Sequence, residues 1–329
     1  MDLLRVISVA AVVIGHAYPG IPGEEYLQIW RMPLFFFLAG FFFSTSRTFS
    51  GEVAVRWRTL ATPYLTWFLI LLGAVWAMEH TPWPFGEYVI SGALAGGAST
   101  DMPFLAFWFI SVMFFAALLL RILVALPWWV GVVVALVGLT LAEIPESRMA
   151  YTLLGIGLVP ACTTYMLAGY WFRRHFWRIP RAVPVGVLCL IVGFGGVVLG
   201  AETMNMKWSG FGTYLLSPML AILICCGMVL IFSTRVDAVL RRLPSAVTVI
   251  SELVRTGTLV VFAHALVLYL ALRWLGIEEP LTRTALALAL CWALGVLVNR
   301  TPLSPYLTGL PARRSPRTPA PASSAAPRR

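Results

Sequence analysis

The sequence has little charge and leaves no stretch long enough for a sizeable soluble domain. Only 12% of its 329 residues are charged, about half the share that is usual in soluble domains, whereas 60% are hydrophobic. Apolar runs recur from Leu3 almost to Val298. This composition excludes a soluble globular protein and predicts an all-α polytopic membrane protein, with residues 1–305 as one transmembrane domain.

The sequence also lacks the residue spacings of several common catalytic and metal sites. It contains no GxSxG nucleophile turn and no HExxH zinc motif. All the cysteines fall in apolar segments, and none forms a C-x-x-C pair: Cys162, Cys189, Cys225, Cys226 and Cys291. We therefore expect the cysteines to be small buried hydrophobic residues, and we predict no metal site.

Ten hydrophobic segments approach the length of a membrane-spanning helix, which needs about 20 residues. We predict ten transmembrane helices at 3–19, 32–46, 60–78, 103–125, 127–142, 151–171, 183–200, 212–233, 257–275 and 282–299. The first segment has no small-x-small cleavage site before Pro19. We interpret it as an uncleaved first span and not as a signal peptide.

The basic residues test this arrangement, because arginine and lysine are enriched on the cytoplasmic side of membrane proteins. With the N-terminus inside, ten spans place 19 of the 24 basic residues inside and ten of the 14 acids outside. This predicts a multi-pass protein of the cell membrane with both termini cytoplasmic. The net charge of +10 then indicates contact with anionic membrane lipids and not with nucleic acid. Residues 306–329, rich in proline, alanine and arginine, are predicted to be a disordered cytoplasmic tail.

Arg5 and His16 stand in the first hydrophobic segment with ten residues between them. Eleven helical steps return to within about 20° of the starting direction, so both side chains share one helix face, about 16.5 Å apart along the axis. Ionisable groups inside a membrane are costly and mark functional sites by default. A histidine, whose ordinary pKa lies near neutrality, also suits general-base chemistry.

Further motifs follow in the next two segments. The second begins with MPLFFFLAG at Met32–Gly40, and a basic loop then leads to Pro63 and Tyr64. Together with the Arg5 and His16 spacing, these features resemble the type-3 acyltransferases, integral membrane enzymes that O-acylate carbohydrates. The branch that the chain most resembles is the fucose 4-O-acetylase-like group. Weaker similarities are FWFIS at 107–111 and the segment around His264.

The resemblance implies a membrane-embedded O-acyltransferase, most simply an O-acetyltransferase. Acetyl-CoA or another acyl-CoA would be the donor substrate, with no bound cofactor. A carbohydrate, envelope glycolipid or glycosylated metabolite would be the acceptor. His16 would be the general base and Arg5 a second catalytic residue. Candidate substrate-binding residues are Arg31, Arg56, Arg58, Tyr64 and His264. Arginines can bind the phosphates of coenzyme A. The acyl-pantetheine arm would then extend along the face of the first helix from Arg5 towards His16.

Three features depart from the family pattern. Arg31 stands where many relatives carry histidine, Arg56 and Arg58 replace a wider RxxR spacing, and Ala39 replaces a serine. Two other functions stay open. A small-molecule transporter or lipid flippase would also place arginine and histidine in the membrane, although no inverted repeat is evident. A non-catalytic envelope-assembly protein could use the same fold.

Overall fold

The computed structural model describes residues 1–144 and 147–313, and this part of the chain is predominantly helical. It contains no β-strand, and one isolated bridge joins Asn205 to Gly210. The described α-helices are, in order, α1 (Asp2–Ala17), α2 (Glu24–Phe41), α3 (Phe49–Arg56), α4 (Thr62–Met78), α5 (Val89–Ala95), α6 (Phe107–Leu123), α7 (Trp128–Glu143), α8 (Val159–His175), α9 (Ala182–Val198), α10 (Leu216–Ile231), α11 (Asp237–Leu240), α12 (Pro244–Arg255), α13 (Gly257–Arg273), α14 (Pro280–Val298) and α15 (Ser304–Leu307). The predicted all-α fold class is confirmed.

Several helices join into longer ones. A single π-helical turn, Trp57–Ala61, connects α3 to α4, so that Phe49–Met78 forms one 30-residue helix. In the described chain, four helices are long and apolar enough to cross a membrane, or five if α12 and α13 form one span bent by 67°. The apolar helices α6, α7 and α9 are shorter. Each of the ten predicted segments overlaps one α-helix, but the count of ten spans stays a prediction.

The second predicted span is displaced along the chain. It was expected at 32–46, whereas α2 begins at Glu24 and ends at Phe41, with Pro33 in its interior. Proline lacks an amide hydrogen and usually marks a helix end, but membrane helices tolerate it where neighbouring groups satisfy the freed backbone. The earlier start places Glu24 and Arg31 on the same helix as the phenylalanine-rich motif.

Close helix packing holds α1 and α2 inside the bundle. α1 contacts α2, α12, α13 and α14, and α2 packs along α8. A Cβ on Gly40 of α2 would overlap the carbonyl oxygen of Met166, and one on Gly169 of α8 would overlap the carbonyl oxygen of Phe37. Small residues that let two backbones approach are typical of helix interfaces in membranes.

The chain stays packed against the helices as far as Arg313. The indole N–H of Trp67 donates to the carbonyl oxygen of Leu307 (3.0 Å), and Arg255 donates to that of Pro311 (2.9 Å). Arg313 forms an ion pair with Glu252 of α12. Residues 307, 311 and 313 therefore contact the helices, and the domain boundary at residue 305 stays a prediction. The remainder of the predicted tail, 314–329, lies outside the described residues.

Candidate active site

Two histidines that are far apart in the sequence meet inside the bundle. Nδ1 of His16, near the end of α1, lies 2.8 Å from Nε2 of His264, in the middle of α13. The two ring planes are nearly parallel, at 7° to each other. His264 is fully buried, whereas His16 is only half-buried and borders a cavity. The contact joins two of the residues that the sequence singles out.

The partners of His264 determine which nitrogen of His16 can accept a proton. Nδ1 of His264 lies 2.9 Å from the carbonyl oxygen of Val260, which can only accept, so this Nδ1 carries a hydrogen. Nε2 of neutral His264 is then an acceptor, and Nδ1 of His16 donates to it. The other ring nitrogen of His16, Nε2, keeps a free lone pair. This assignment follows from the hydrogen-bond network, and Nε2 is the basic atom of the pair.

His16 lines a cavity of about 350 Å³, which we call the histidine cavity. Side chains of both charges, and two amides, form its polar lining: Glu24, Gln28, Arg31, Asp101, Asn205 and Lys207. Four aromatic side chains complete the walls: Phe35, Trp108, Phe109 and Trp208. A few converging polar groups among aromatic surfaces are typical of a small-molecule site.

Arg31 lies directly beside the histidine on the wall of this cavity. A Cβ on Gly15 would overlap Nη1 of Arg31, so the glycine leaves the guanidinium room to lie against α1. Nη2 of Arg31 is 3.8 Å from Oε1 of Glu24. Nη1 is buried and has no hydrogen-bond partner within residues 1–144 and 147–313. A charged donor is therefore available next to His16.

Lys207 adds a second cation from the segment between α9 and α10. Its ammonium donates to the carbonyl oxygen of Thr100 and lies 5.1 Å from the ring centre of Trp208. Burial lowers the pKa of Lys207, and the carboxylate of Asp101 acts in the opposite direction. The side chain is thus held at the cavity by backbone, aromatic and acidic neighbours.

A second cavity of about 350 Å³ lies nearer the start of α1, and we call it the arginine cavity. Arg5 and Arg56 supply its charge. The guanidinium of Arg5 lies 4.3 Å from the ring centre of Phe42 and 3.7 Å from Asp2. Nε of Arg56 donates to the fully buried Glu52 at 2.7 Å, which fixes its position on the wall. Two arginines at one cavity suit a phosphate-bearing ligand.

Three apolar side chains line both cavities: Phe35 of α2, Phe109 of α6 and Val261 of α13. We call them the apolar barrier. The rings of Phe35 and Phe109 meet edge to face, with centres 5.2 Å apart. On α1, Val9 borders the arginine cavity and Val12 borders the histidine cavity, so the division falls within one helical turn. His16 and the two arginines therefore line two different cavities that share these three side chains.

Two predicted site residues lie away from both cavities. Arg58 is exposed on a shallow depression near the start of the 30-residue helix. It stands two residues after Arg56, so its side chain points about half a turn away. Tyr64 borders an apolar side pocket, with its ring centre 4.7 Å from that of Phe107. Neither residue is brought to the candidate site.

Other residues of the site were not singled out from the sequence. Lys207 is the single lysine among 24 basic residues, and this rarity could have drawn attention to it in the sequence. The ion pair of Glu52 with Arg56 has the i, i+4 spacing of a helical pair and could also have been found. No sequence signal points to Asp101, which reaches the cavity from a loop.

The chain's thiols lie apart from this chemistry. All the cysteines are free, and Cys162, Cys225 and Cys291 are buried. Over the described residues, no group of three or more histidine, cysteine, aspartate or glutamate side chains could hold a metal ion.

Comparison with known families identifies the family of the chain. The sequence model of a family described as an acyltransferase domain matches residues 1–300, which include both cavities and the barrier between them. No curated protein and no solved structure matches the chain. Because the match covers most of the sequence, this chain belongs to the type-3 acyltransferase family and is a membrane acyltransferase.

Proposed function

We propose that this protein is an O-acyltransferase that moves an acyl group, acetyl in the first instance, from cytoplasmic acyl-CoA to a hydroxyl group of a carbohydrate, envelope glycolipid or glycosylated metabolite. The observation that carries the proposal is the hydrogen-bond chain from Val260 through His264 to His16, which leaves a basic Nε2 at a cavity wall. The family match supports the same class of reaction.

In the proposed transfer step, His16 carries the proton from the acceptor hydroxyl to the leaving sulfur. The acceptor O–H gives its proton to Nε2 of His16 as its oxygen attacks the thioester carbonyl carbon and forms the new C–O bond. The tetrahedral intermediate then collapses, the C–S bond breaks, and the CoA sulfur leaves. The imidazolium of His16 returns the proton to that sulfur. The products are an ester and free CoA, and His16 is neutral again.

Arg31 is suited to stabilise the negative oxygen of the intermediate. Its buried Nη1 lies against the helix turn that carries His16. A charged donor held in place before the reaction needs no reorganisation when the oxyanion develops, and one such donor is typically worth about 10²–10³-fold in rate. Lys207 adds positive charge to the same cavity.

The arginine cavity is the proposed donor site. Arg5 and Arg56 would bind the phosphates of CoA, and the acyl-pantetheine arm would extend along α1 towards His16. Placing this cavity on the cytoplasmic side agrees with the distribution of basic residues along the chain.

The histidine cavity is the proposed acceptor site. Trp108 and Trp208 offer flat apolar surfaces, while Gln28 and Asn205 offer hydrogen-bonding amides. A sugar ring has apolar C–H faces and hydroxyl edges, so it is complementary to both kinds of side chain.

Replacement of the proposed base tests this function. Purified protein in detergent is given acetyl-CoA and methyl glycosides of glucose and fucose, and acetylated glycoside and released CoA are measured by chromatography. His16→Gln keeps a polar side chain but cannot accept a proton at neutral pH, so we expect transfer to fall about 10²–10⁴-fold. The matched control is His175→Gln, since His175 is exposed at the end of α8. Full transfer by folded His16→Gln would refute the role of His16 as the base, whereas absence of transfer by the folded wild-type protein would refute the transferase function.

A further inference from the structure

The apolar barrier lies between the proposed phosphate site and the base. On each of α2 and α6, residues on one side of the barrier line the arginine cavity and residues on the other side line the histidine cavity. Arg31 and Met32 precede Phe35 on the histidine side, and Leu38 follows it on the arginine side. Any thioester bound through Arg5 and Arg56 must therefore pass these side chains, acyl group first, to reach His16.

We propose that Phe35, Phe109 and Val261 select the donor, admitting an uncharged acyl group and rejecting one that ends in a carboxylate. This inference rests on the proposed function, and it narrows the donor class of the same site.

The barrier offers a charged group nothing in place of water. Its three side chains carry no hydrogen-bonding atom. Phe35 and Val261 stand inside α2 and α13, and the amide N–H of Phe109, in the first turn of α6, donates to the carbonyl oxygen of Ala106 (3.2 Å). Phe109 and Val261 are each only 7% exposed. A carboxylate would lose its hydration there without a compensating partner, which is far more costly than burying a methyl group. Arg31 and Lys207 line the histidine cavity, so they become hydrogen-bond partners of a carboxylate only after it has passed the three side chains.

Two donors with acyl groups of equal carbon number separate the effect of acyl charge on the transfer rate from the effect of acyl length. Butyryl-CoA and succinyl-CoA both carry four-carbon acyl groups, and only the second ends in a carboxylate. The wild-type protein in detergent, with the methyl glycosides as acceptors, is expected to transfer butyryl at least about tenfold faster than succinyl. Equal rates with the two donors would overturn the inference and leave the transferase proposal standing. Absence of transfer from acetyl-, butyryl- and succinyl-CoA would refute the transferase proposal and this inference with it.

Substitutions in the apolar barrier test whether its side chains cause the discrimination between the two donors. Phe109→Ser shortens the side chain and lets water enter, so the succinyl-to-butyryl ratio should rise about tenfold. Phe114→Ser is the matched control, because Phe114 is on the same helix but borders only the apolar side pocket. Val261→Thr keeps the side-chain volume and adds a hydroxyl, so it should raise the succinyl-to-butyryl ratio less than Phe109→Ser does. It is the variant to measure if Phe109→Ser does not fold. An unchanged ratio in folded Phe109→Ser or Val261→Thr, or an equal rise in Phe114→Ser, would overturn the assignment.

Discussion

At the scale of single residues, His264 acts on the reaction only through His16. Nε2 of His16 is a base only while Nδ1 of the same ring holds its hydrogen, and the 2.8 Å contact with His264 keeps it there. When Nε2 takes the acceptor proton, the same hydrogen bond becomes charge-assisted and stronger. His264 is therefore a positioning residue, and its removal should affect turnover and not donor binding.

We predict that His264→Leu lowers kcat about 10–100-fold, the range typical when the partner that orients a metal-binding histidine is removed. The KM for acetyl-CoA should not change. In His264→Gln the amide oxygen can accept from Nδ1 of His16, so part of the lost kcat should return. Steady-state kinetics on the two variants checks this. Wild-type kcat in His264→Leu would show that His16 needs no orienting partner.

Arg56 and Arg58 give a matched pair on one helix. Arg56 lines the arginine cavity and Arg58 is exposed outside it. We predict that Arg56→Gln raises the KM for acetyl-CoA about tenfold, because a hydrogen bond to a charged phosphate is lost. Glu52 keeps a second basic partner, Arg47, at 3.0 Å. Arg58→Gln should leave this KM unchanged, and the same rise in both variants would contradict a specific role for Arg56.

At the scale of helices, the packing of α2 on α8 should limit which side chains the interface tolerates. We predict that Gly40→Ala lowers stability by about 1–3 kcal/mol, because its Cβ would overlap the carbonyl oxygen of Met166 and the helices must separate. Gly73→Ala on α4 is the control, since a Cβ there meets nothing within 4 Å. It should be neutral or stabilising, given the better helix propensity of alanine. Thermal unfolding in detergent compares them, and equal melting temperatures would contradict the close packing.

The positions of most helices could be predicted from the sequence, because a long apolar run has few other stable conformations in a membrane. α1 and α13 begin and end close to their predicted limits. The start of α2 could not be predicted, since Glu24 and Glu25 there read as loop residues and the predicted span begins at Met32. Arg58 was grouped with Arg56 by sequence proximity, although residues two apart on a helix do not face the same way.

At the scale of the whole molecule, both ends of the described chain meet the same region. The α-amino group of Met1 lies 2.5 Å from Asp237, and Arg313 pairs with Glu252 on the neighbouring α12. The two ends of the described chain therefore lie on one side of the bundle, and the placement of that side in the cytoplasm stays a prediction.

We predict that a periplasmic reporter enzyme fused after Arg313 stays inactive in cells, because the inside segments collect 19 of the 24 basic residues. Fusion at this point keeps the contact of Leu307 with Trp67. The same reporter inserted after Gly276, between α13 and α14, should be active. Activity of the fusion after Arg313 would contradict the cytoplasmic placement of that end.

The sequence predicts the residues of the candidate site that share one helix, but not the contacts between helices. Arg5 and His16 share one helix, so helical periodicity relates them directly. His16 and His264 are separated by 248 positions, and their contact depends on how α1 packs on α13. The apolar barrier draws on three helices in the same way, and phenylalanine and valine side chains read as ordinary packing until the two cavities are seen.

Gly15 and Arg31 share one space, so a larger residue at position 15 would displace the guanidinium of Arg31 from its place against α1. The guanidinium of Arg31 occupies the space that any larger residue at position 15 would need. Among relatives, an arginine at this point of the second helix should be accompanied by glycine one residue before the histidine. Relatives with a shorter side chain at position 31 are free of that restriction, and alanine or serine should appear at position 15. Such correlated variation between positions 15 and 31 would show that relatives retain the contact between the guanidinium and the helix turn that carries the histidine.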